Sequence, residues 1–272
     1  MSCELCSFEN PKDTVTAVII KDNRVLLLAR NEEPYKGWWD FPGGYVQKGE
    51  LLKEAMAREV KEELGVTIRG ITLIKSIPGT AKWKDRTFPI MNHAYLVDIH
   101  GEISLNEENT HYSWMPTAAL LGTDIAFDSN KLLAEHLDRH FCFDLERIKK
   151  LIFQLDASAA FNEQKLYRAI INGHLETIYN GQGILVGMGW IFPRQTLLRK
   201  QAVIEDMIVD ESQRGKGYGR KILKNLISWA KSQKCETIEL TTNPKRIAAN
   251  ELYKSEGFKL HETNHYLFTL NN

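Results

Sequence analysis

No stretch of this 272-residue chain is apolar over the length that a membrane helix requires, and no signal-peptide core opens it. No membrane partner is therefore expected. Charge imbalance is missing as well. The 35 Lys and Arg balance the 35 Asp and Glu, so composition makes no broad case for nucleic acid or a membrane surface. Cysteine is scarce: Cys3, Cys6, Cys142 and Cys235 have no disulfide-framework spacing, which suits a reduced, cytoplasmic protein. Cys3 and Cys6 form C-x2-C, half of a zinc ribbon, but no second pair follows at ribbon spacing. The expectation for residues 1–10 is a plain tail. There is no internal repeat, no low-complexity stretch, and no Gly/Ser/Pro-rich linker near His140 to Phe143. The length favours two domains, and the missing linker suggests that they pack together.

What is present starts between Gly44 and Val66. Gly44, Glu50, Arg58, Glu59, Val60, Glu62, Glu63, Gly65 and Val66 spell G-x5-E-x7-R-E-U-x-E-E-x-G-U, with U aliphatic. Leu52, Met56, Val60 and Leu64 recur every four residues, which predicts a helix with a buried stripe. Gly65 is placed to end it. Glu59, Glu62 and Glu63 share one face of that helix, where like charges repel. A hard divalent cation bound through oxygen would reverse that repulsion, and magnesium suits such a site when substrate phosphates complete its shell. A merely solvated glutamate face is the alternative. A strand pair, Val15–Ile20 and Arg24–Leu28, precedes the loop.

The run resembles the Nudix box at every defining position. The resemblance implies an α/β/α sandwich with a mixed sheet over 11–141, and magnesium- or manganese-dependent hydrolysis of a nucleoside diphosphate joined to another group. By the same resemblance Glu59 and Glu63 would be the main metal ligands, with Gly44 in the set. Glu62 would be a further ligand or the base that activates water. Arg58 would orient the carboxylates, Glu50 among them. The chemistry agrees, since metal ions neutralise a diphosphate and hold water for in-line attack.

The rest of this half is less specific. Ile71–Ile77 and Met91–Val97 read as strands around a polar hairpin or loop, Ala81 to Arg86. Thr117–Leu121 and Lys131–His140 read as helical. Glu107 and Glu108 are either a solvated turn or an extra carboxylate near the metal. Tyr35, Trp38, Trp39 and Phe41 would stack a nucleobase or pack the loop. Pro78 is not at the spacing of the ADP-ribose subgroup, and the coenzyme A diphosphatase signature is absent. ADP-ribose, a dinucleotide, a nucleotide sugar and a damaged nucleoside triphosphate all stay open.

The second half has its own signal. Ala202–Val209 reads as a buried strand, and Lys221–Lys231 as an amphipathic helix with Ile222, Leu223, Leu226, Ile227 and Ala230 on one side. Between them stand Arg214, Gly215, Lys216, Gly217, Tyr218, Gly219 and Arg220. Glycines let backbone N–H groups approach a ligand closely, and a helix start adds free amides and a positive dipole end. That describes a diphosphate cradle. A structural tight turn is the alternative. Thr237–Thr241 reads as a strand, Ala248–Ser255 as a helix, and Leu267–Leu270 as a final strand. Leu145–Leu155 and Glu163–Ile171 read as helices. Leu175–Tyr179 and Ile184–Ile191 read as a hairpin about Asn180-Gly181.

With Arg214, Gly217 and Gly219 as R-x-x-G-x-G, and Asn250, Tyr253, Gly257 and Phe258 following, this half resembles the GNAT N-acetyltransferases. The resemblance implies a mixed-sheet α/β domain over 142–272. It implies acetyl-CoA as cofactor, with the diphosphate on Arg214 to Arg220 and the pantetheine arm beside Ile208 and Val209. Asn250 would contact the cofactor, and Tyr253 would protonate the departing thiolate. Glu205 or Asp206 would take the amine proton. A backbone amide near Ile208 would polarise the thioester carbonyl.

The expectation is a bifunctional enzyme of α/β (α+β) class. Its partners would be a nucleotide-diphosphate substrate, acetyl-CoA and an amine acceptor. The fusion alone suggests one pathway, on a nucleotide-linked amine or a toxic aminoacyl nucleotide. A homodimer is compatible with this reading. The alternative has the Nudix half sensing a nucleotide and regulating the transferase.

Overall fold

The computed structural model describes residues 10–83 and 86–270. The Cys3/Cys6 pair lies outside them. The chain forms two compact units: one holds the chain up to Lys149 together with Ala160–Asn172, the other holds Lys150–Ala159 and the chain from Gly173 onward.

The first unit contains β1 (Lys12–Val18), β2 (Ile20–Lys21), β3 (Arg24–Arg30), β4 (Trp39–Asp40), β5 (Gly43–Tyr45), α1 (Leu52–Leu64), β6 (Thr67–Trp83), β7 (Arg86–His100) and β8 (Asn109–Pro116). A 3-10 turn at Thr117–Gly122 leads to α2 (Asp128–Phe141). One sheet is mixed, in the order β5-β1-β7-β6, with β1 parallel to β7 and the other pairs antiparallel. In the second sheet β3 pairs antiparallel with β2, β4 and β8. Side chains alternate across a strand, and here the alternation separates two chemistries. Val15 and Ala17 of β1 join Leu26 and Leu28 of β3 in a core closed by Met56 and Val60 of α1. Thr16 points the other way and meets Asn130 at the start of α2.

The β6–β7 arms are longer than their apolar centres indicated. Ladder pairing runs out to Trp83 and Arg86, so of the hairpin and the loop expected for this stretch the hairpin is formed, with Lys84 and Asp85 outside the described residues. The outer pairs are largely solvent-exposed on both faces, so hydrophobic alternation cannot mark them. Helix α1 ends at Gly65, whose φ of +70° is left-handed and whose N–H reaches Lys61 O.

Next come α3 (Leu145–Leu155) and α4 (Glu163–Asn172). Along the sequence the expected domains meet at 141/142; in space α4 groups with the first unit. Tyr167 is fully buried and packs on Phe141 and Phe143 at ring distances of 5.5 and 6.1 Å. Its hydroxyl donates to Glu163, and the Glu163 carboxylate also accepts the N–H groups of Asp22 and Asn23 at 3.0 and 2.9 Å.

The second unit has β9 (His174–Tyr179), β10 (Leu185–Gln195), β11 (Lys200–Val209), α5 (Tyr218–Ser232), β12 (Thr237–Leu240) and α6 (Ile247–Ser255). Its sheet is mixed, in the order β12-β11-β10-β9, with only β11–β12 parallel. Ala202 and Ile204 pack against Ile222, Leu223 and Leu226 of α5. The expected strand at Leu267–Leu270 is not formed. These residues have no regular structure, and Leu267 and Phe268 are 85% and 84% exposed. An apolar run becomes a strand only when a neighbour takes its N–H and C=O groups, and no ladder includes this one. No helix among the described residues is long and apolar enough to cross a membrane.

Candidate functional site

Helix α1 and the β4–β5 turn build the first site. Arg58 is its hub. Its Nε and Nη2 donate to the two oxygens of Glu50 at 2.8 and 3.0 Å, a bidentate pair. Its Nη1 donates to Glu59 at 2.7 Å and to Glu62 at 3.1 Å, and Nη2 also reaches Tyr45 O at 2.9 Å. Glu63 is buried and accepts the Gly43 N–H at 2.7 Å. A methyl group at Gly44 would stand 2.4 Å from Glu59 Oε1, so a larger residue there would push the Glu59 carboxylate aside. Glu59 and Glu63 therefore face the two glycines that open β5, whereas Glu62 is half exposed and tied to Arg58.

Burial pushes the Glu63 carboxyl up to about 8 against the Gly43 N–H, and neighbouring Glu59, Asp40 and Glu108 add to the rise. Burial also raises Glu59, and Arg58 opposes it. So Glu108, one half of the turn left open by sequence, stands close enough to act on both carboxylates. Among the described residues no three carboxylate, histidine or cysteine side chains are already gathered for a metal ion. The donors still fit a hard divalent cation: oxygens only, crowded, and disfavoured as bare anions.

A buried polar chain adjoins this turn, and periodicity gave no sign of it. Asn130 Nδ2 donates to Asp40 at 2.6 Å, Asn92 Nδ2 to Asn130 at 2.8 Å, and Thr16 Oγ1 to Asn92 at 2.8 Å. Arg30 Nη1 reaches the second Asp40 oxygen at 3.1 Å. Burial raises Asp40 to about 6 despite Arg30 and Asn130. Of the aromatic group, Phe41 is a core residue, while Tyr35 stands 5.2 Å from both Trp38 and Phe127 on the surface side.

The second site is a cavity of about 1120 Å³. Strand β11 shapes it by a bulge. Trp190 pairs with Glu205 and Met188 with Ile208, so Asp206 and Met207 stand opposite Gly189 alone. Asp206 takes the extra place at φ +51°. Pairing of β11 with β12 ends at Ile204–Leu240, just before the bulge, and the cavity opens there between Glu205–Val209 and Leu240–Asn243. Gly215 and Gly217 have φ of +80° and +82°, which only glycine adopts freely, and Gly217 precedes the first turn of α5.

Ile208, Val209, Arg214, Gly215, Gly217, Tyr218, Gly219 and Arg220 line the cavity, as do Glu205 and Tyr253. Lys216 and Asn250 do not. Lys216 Nζ donates to Gln213 at 2.9 Å, and Asn250 Nδ2 braces the carbonyls of Asn243 and Arg246. Sequence reasoning missed Gln154, Thr242, Arg246 and His265 in the lining. Burial raises Glu205, helped by Asp206 and opposed by His265, and burial raises Tyr253 too. An open cavity ending in glycine-turn amides and two arginines fits a long anionic cofactor.

The profile of the NUDIX domain matches residues 10–136, and that of the Acetyltransferase (GNAT) family matches residues 139–258. The chain is 31% identical over 131 residues to the ADP-ribose pyrophosphatase of Methanocaldococcus jannaschii, covering 47% of this chain and 74% of that protein. It is 26% identical over 134 residues to the nucleoside triphosphatase NudI of Escherichia coli O139:H28, covering 44% and 93%. A solved structure from Agrobacterium tumefaciens str. C58, described as a "putative acetyltransferase", superposes with a TM-score of 0.41 at 24% identity, covering 46% and 94%. The chain belongs to the Nudix hydrolase family through its first half and carries a GNAT-family acetyltransferase domain in its second, two enzyme domains in one polypeptide.

Proposed function

We propose that the first unit hydrolyses a nucleoside diphosphate-linked compound of the ADP-ribose kind with magnesium or manganese, and that the second acetylates an amine from acetyl-CoA. One observation carries the hydrolase half: Arg58 draws Glu50, Glu59 and Glu62 together beside Gly43 and Gly44 at the start of β5. The archaeal relative's name supports the ADP-ribose class. Glu59, Glu63 and the backbone of Gly44 would hold the cation, with Glu62 at its edge. Bound there, a divalent cation neutralises the diphosphate and lowers the pKa of water. Arg58 keeps the carboxylates oriented and out of rotameric disorder. Glu62, the exposed one, would take a proton from water.

The cavity that joins Glu205 and Tyr253 to the glycine turn carries the transferase half. Arg214, Arg220 and the amides of Gly215 to Gly219 would bind the cofactor diphosphate. Acetyl-CoA supplies the activated acyl group. Glu205 accepts the proton of the attacking amine, and Tyr253 donates one to the leaving sulfur. The N–H near Ile208 polarises the acyl carbonyl.

Two assays test this. A magnesium-dependent screen over ADP-ribose, dinucleotides, nucleotide sugars and nucleoside triphosphates should give one preferred class, lost in Glu63→Gln. Calorimetry should show acetyl-CoA binding that weakens in Arg214→Ala. No hydrolysis of any compound would remove the first half of the reading, and no acetyl-CoA binding the second.

A further inference from the structure

The sheet face that carries Glu205 also carries an aromatic platform. Ala202 and Ile204 of β11 turn toward α5, so Val203 and Glu205 turn to the opposite face. Residues directly paired across antiparallel strands share a face, which places Trp190 beside Glu205 and Phe192 beside Val203. The Trp190 and Phe192 rings stack at 4.6 Å and 23°. Both are half-buried, whereas the core side chains on the α5 face are closed off from solvent. Further along, Arg194 ion-pairs with Glu239 and bounds the platform. Glu205 lines the cavity and neither ring does, so the link between the aromatic pair and the place where the acyl group would meet its acceptor is the cross-strand pairing of Trp190 with Glu205.

We infer that the acceptor is a primary amine carried on a flat aromatic or heteroaromatic ring, the ring stacking on Trp190–Phe192 while the amine meets Glu205. The inference rests on the acetyltransferase reading above and names its substrate class. A flat ring gains from an aromatic face by dispersion and offset stacking, without matched hydrogen bonds. A purely aliphatic polyamine gains little from such a surface. Glu205 and Asp206 provide the acidic ground that attracts an ammonium group before it loses its proton. The acetylation balances simply: the amine nitrogen forms the bond to the acyl carbon, the bond to sulfur breaks, and the nitrogen's proton leaves through Glu205.

The test uses the full chain, acetyl-CoA and thiol release. Phenethylamine, tryptamine and 5′-amino-5′-deoxyadenosine are compared with butylamine, cadaverine and spermidine. The ring-bearing amines should exceed the aliphatic ones in kcat/KM by about tenfold or more. Trp190→Ala should shrink that ratio to within about threefold, mainly through KM, and Trp190→Phe should keep it. Phe192→Leu should shrink it as well, which covers the case of a misfolded Trp190→Ala. A wild-type ratio near unity, or one that survives both Trp190→Ala and Phe192→Leu, overturns the inference. So does acetyl-CoA binding with no amine of the panel acetylated. Absence of acetyl-CoA binding overturns the acetyltransferase reading and this inference with it.

Discussion

Arg58 grips Glu50 with two N–H···O bonds of 2.8 and 3.0 Å, eight residues apart, while its other nitrogen arm holds Glu59. A lysine presents one point charge and cannot form that fork. Arg58→Lys should therefore lower stability slightly, read by urea denaturation. Hydrolysis should fall more steeply than stability, because Glu59 loses its orienting partner. Equal rates in the lysine variant would show that the fork is dispensable.

Gly44→Ala separates the site from the fold. The added methyl would have to displace the Glu59 carboxylate from 2.4 Å. A misplacement of about 1 Å costs on the order of a hundredfold in turnover. Thermal unfolding, by contrast, should shift little, since Glu59 moves more readily than the backbone. Retained hydrolysis would place Glu59 outside the chemistry.

Tyr167 anchors α4 in the first unit. Tyr167→Ala should cost about 3–5 kcal/mol, the usual range for a large buried aromatic. Tyr167→Phe removes the hydroxyl's bond to Glu163 and its contact with the Asn23 backbone N–H, while the Glu163 carboxylate keeps the Asp22 and Asn23 amides, and should cost about 1 kcal/mol. Chemical denaturation of the full chain measures both. A small effect of the alanine variant would mean that α4 is loosely held.

Asp40 supplies a pH signature. Its folded value is raised to about 6 from 3.8, mainly by burial, so the native state keeps a proton that the unfolded chain has lost. That stability is fully present below 3.8 and disappears as pH rises through about 6, on the order of 3 kcal/mol in all. Asp40→Asn should flatten this part of the stability–pH curve, read as urea midpoints between pH 4 and 7. Parallel curves for wild type and variant would show that Asp40 ionises freely.

Gly217 tests the second site. A side chain would meet nothing within 4 Å there, so Gly217→Ala is opposed only by the φ of +82°. Left-handed backbone costs a non-glycine residue about 1–2 kcal/mol. Acetyl-CoA affinity, measured by calorimetry, should fall by about tenfold or more as the turn amides lose their approach. Unaltered affinity would move the diphosphate elsewhere in the cavity.

The helices could be read in advance because their apolar stripes are local. Met56, Val60 and Leu64 mark α1, and Ile222, Leu223 and Leu226 mark α5, within a few turns of chain. Glu50 and Arg58 are likewise close in sequence. The Thr16–Asn92–Asn130–Asp40 chain was illegible for the opposite reason: its partners stand 38 to 90 residues apart and look like ordinary surface polar residues. Lys216 and Asn250 sit within the expected motifs yet turn to Gln213 and the 243–246 turn, a choice of rotamer that spacing does not encode. The terminal strand failed because Leu267 to Leu270 have the composition of a strand without a pairing partner.

The bulge at Asp206 turns on a number, not on a kind of residue. Ile204 before it and Met207 and Val209 after it all pack toward α5, as they would if Asp206 were deleted and the strand ran straight. Nothing in the hydrophobic lettering of β11 therefore depends on the additional residue. The loss of a single codon would leave a well-patterned strand and a foldable domain, but one whose β11 no longer breaks step with its neighbours where the cavity opens.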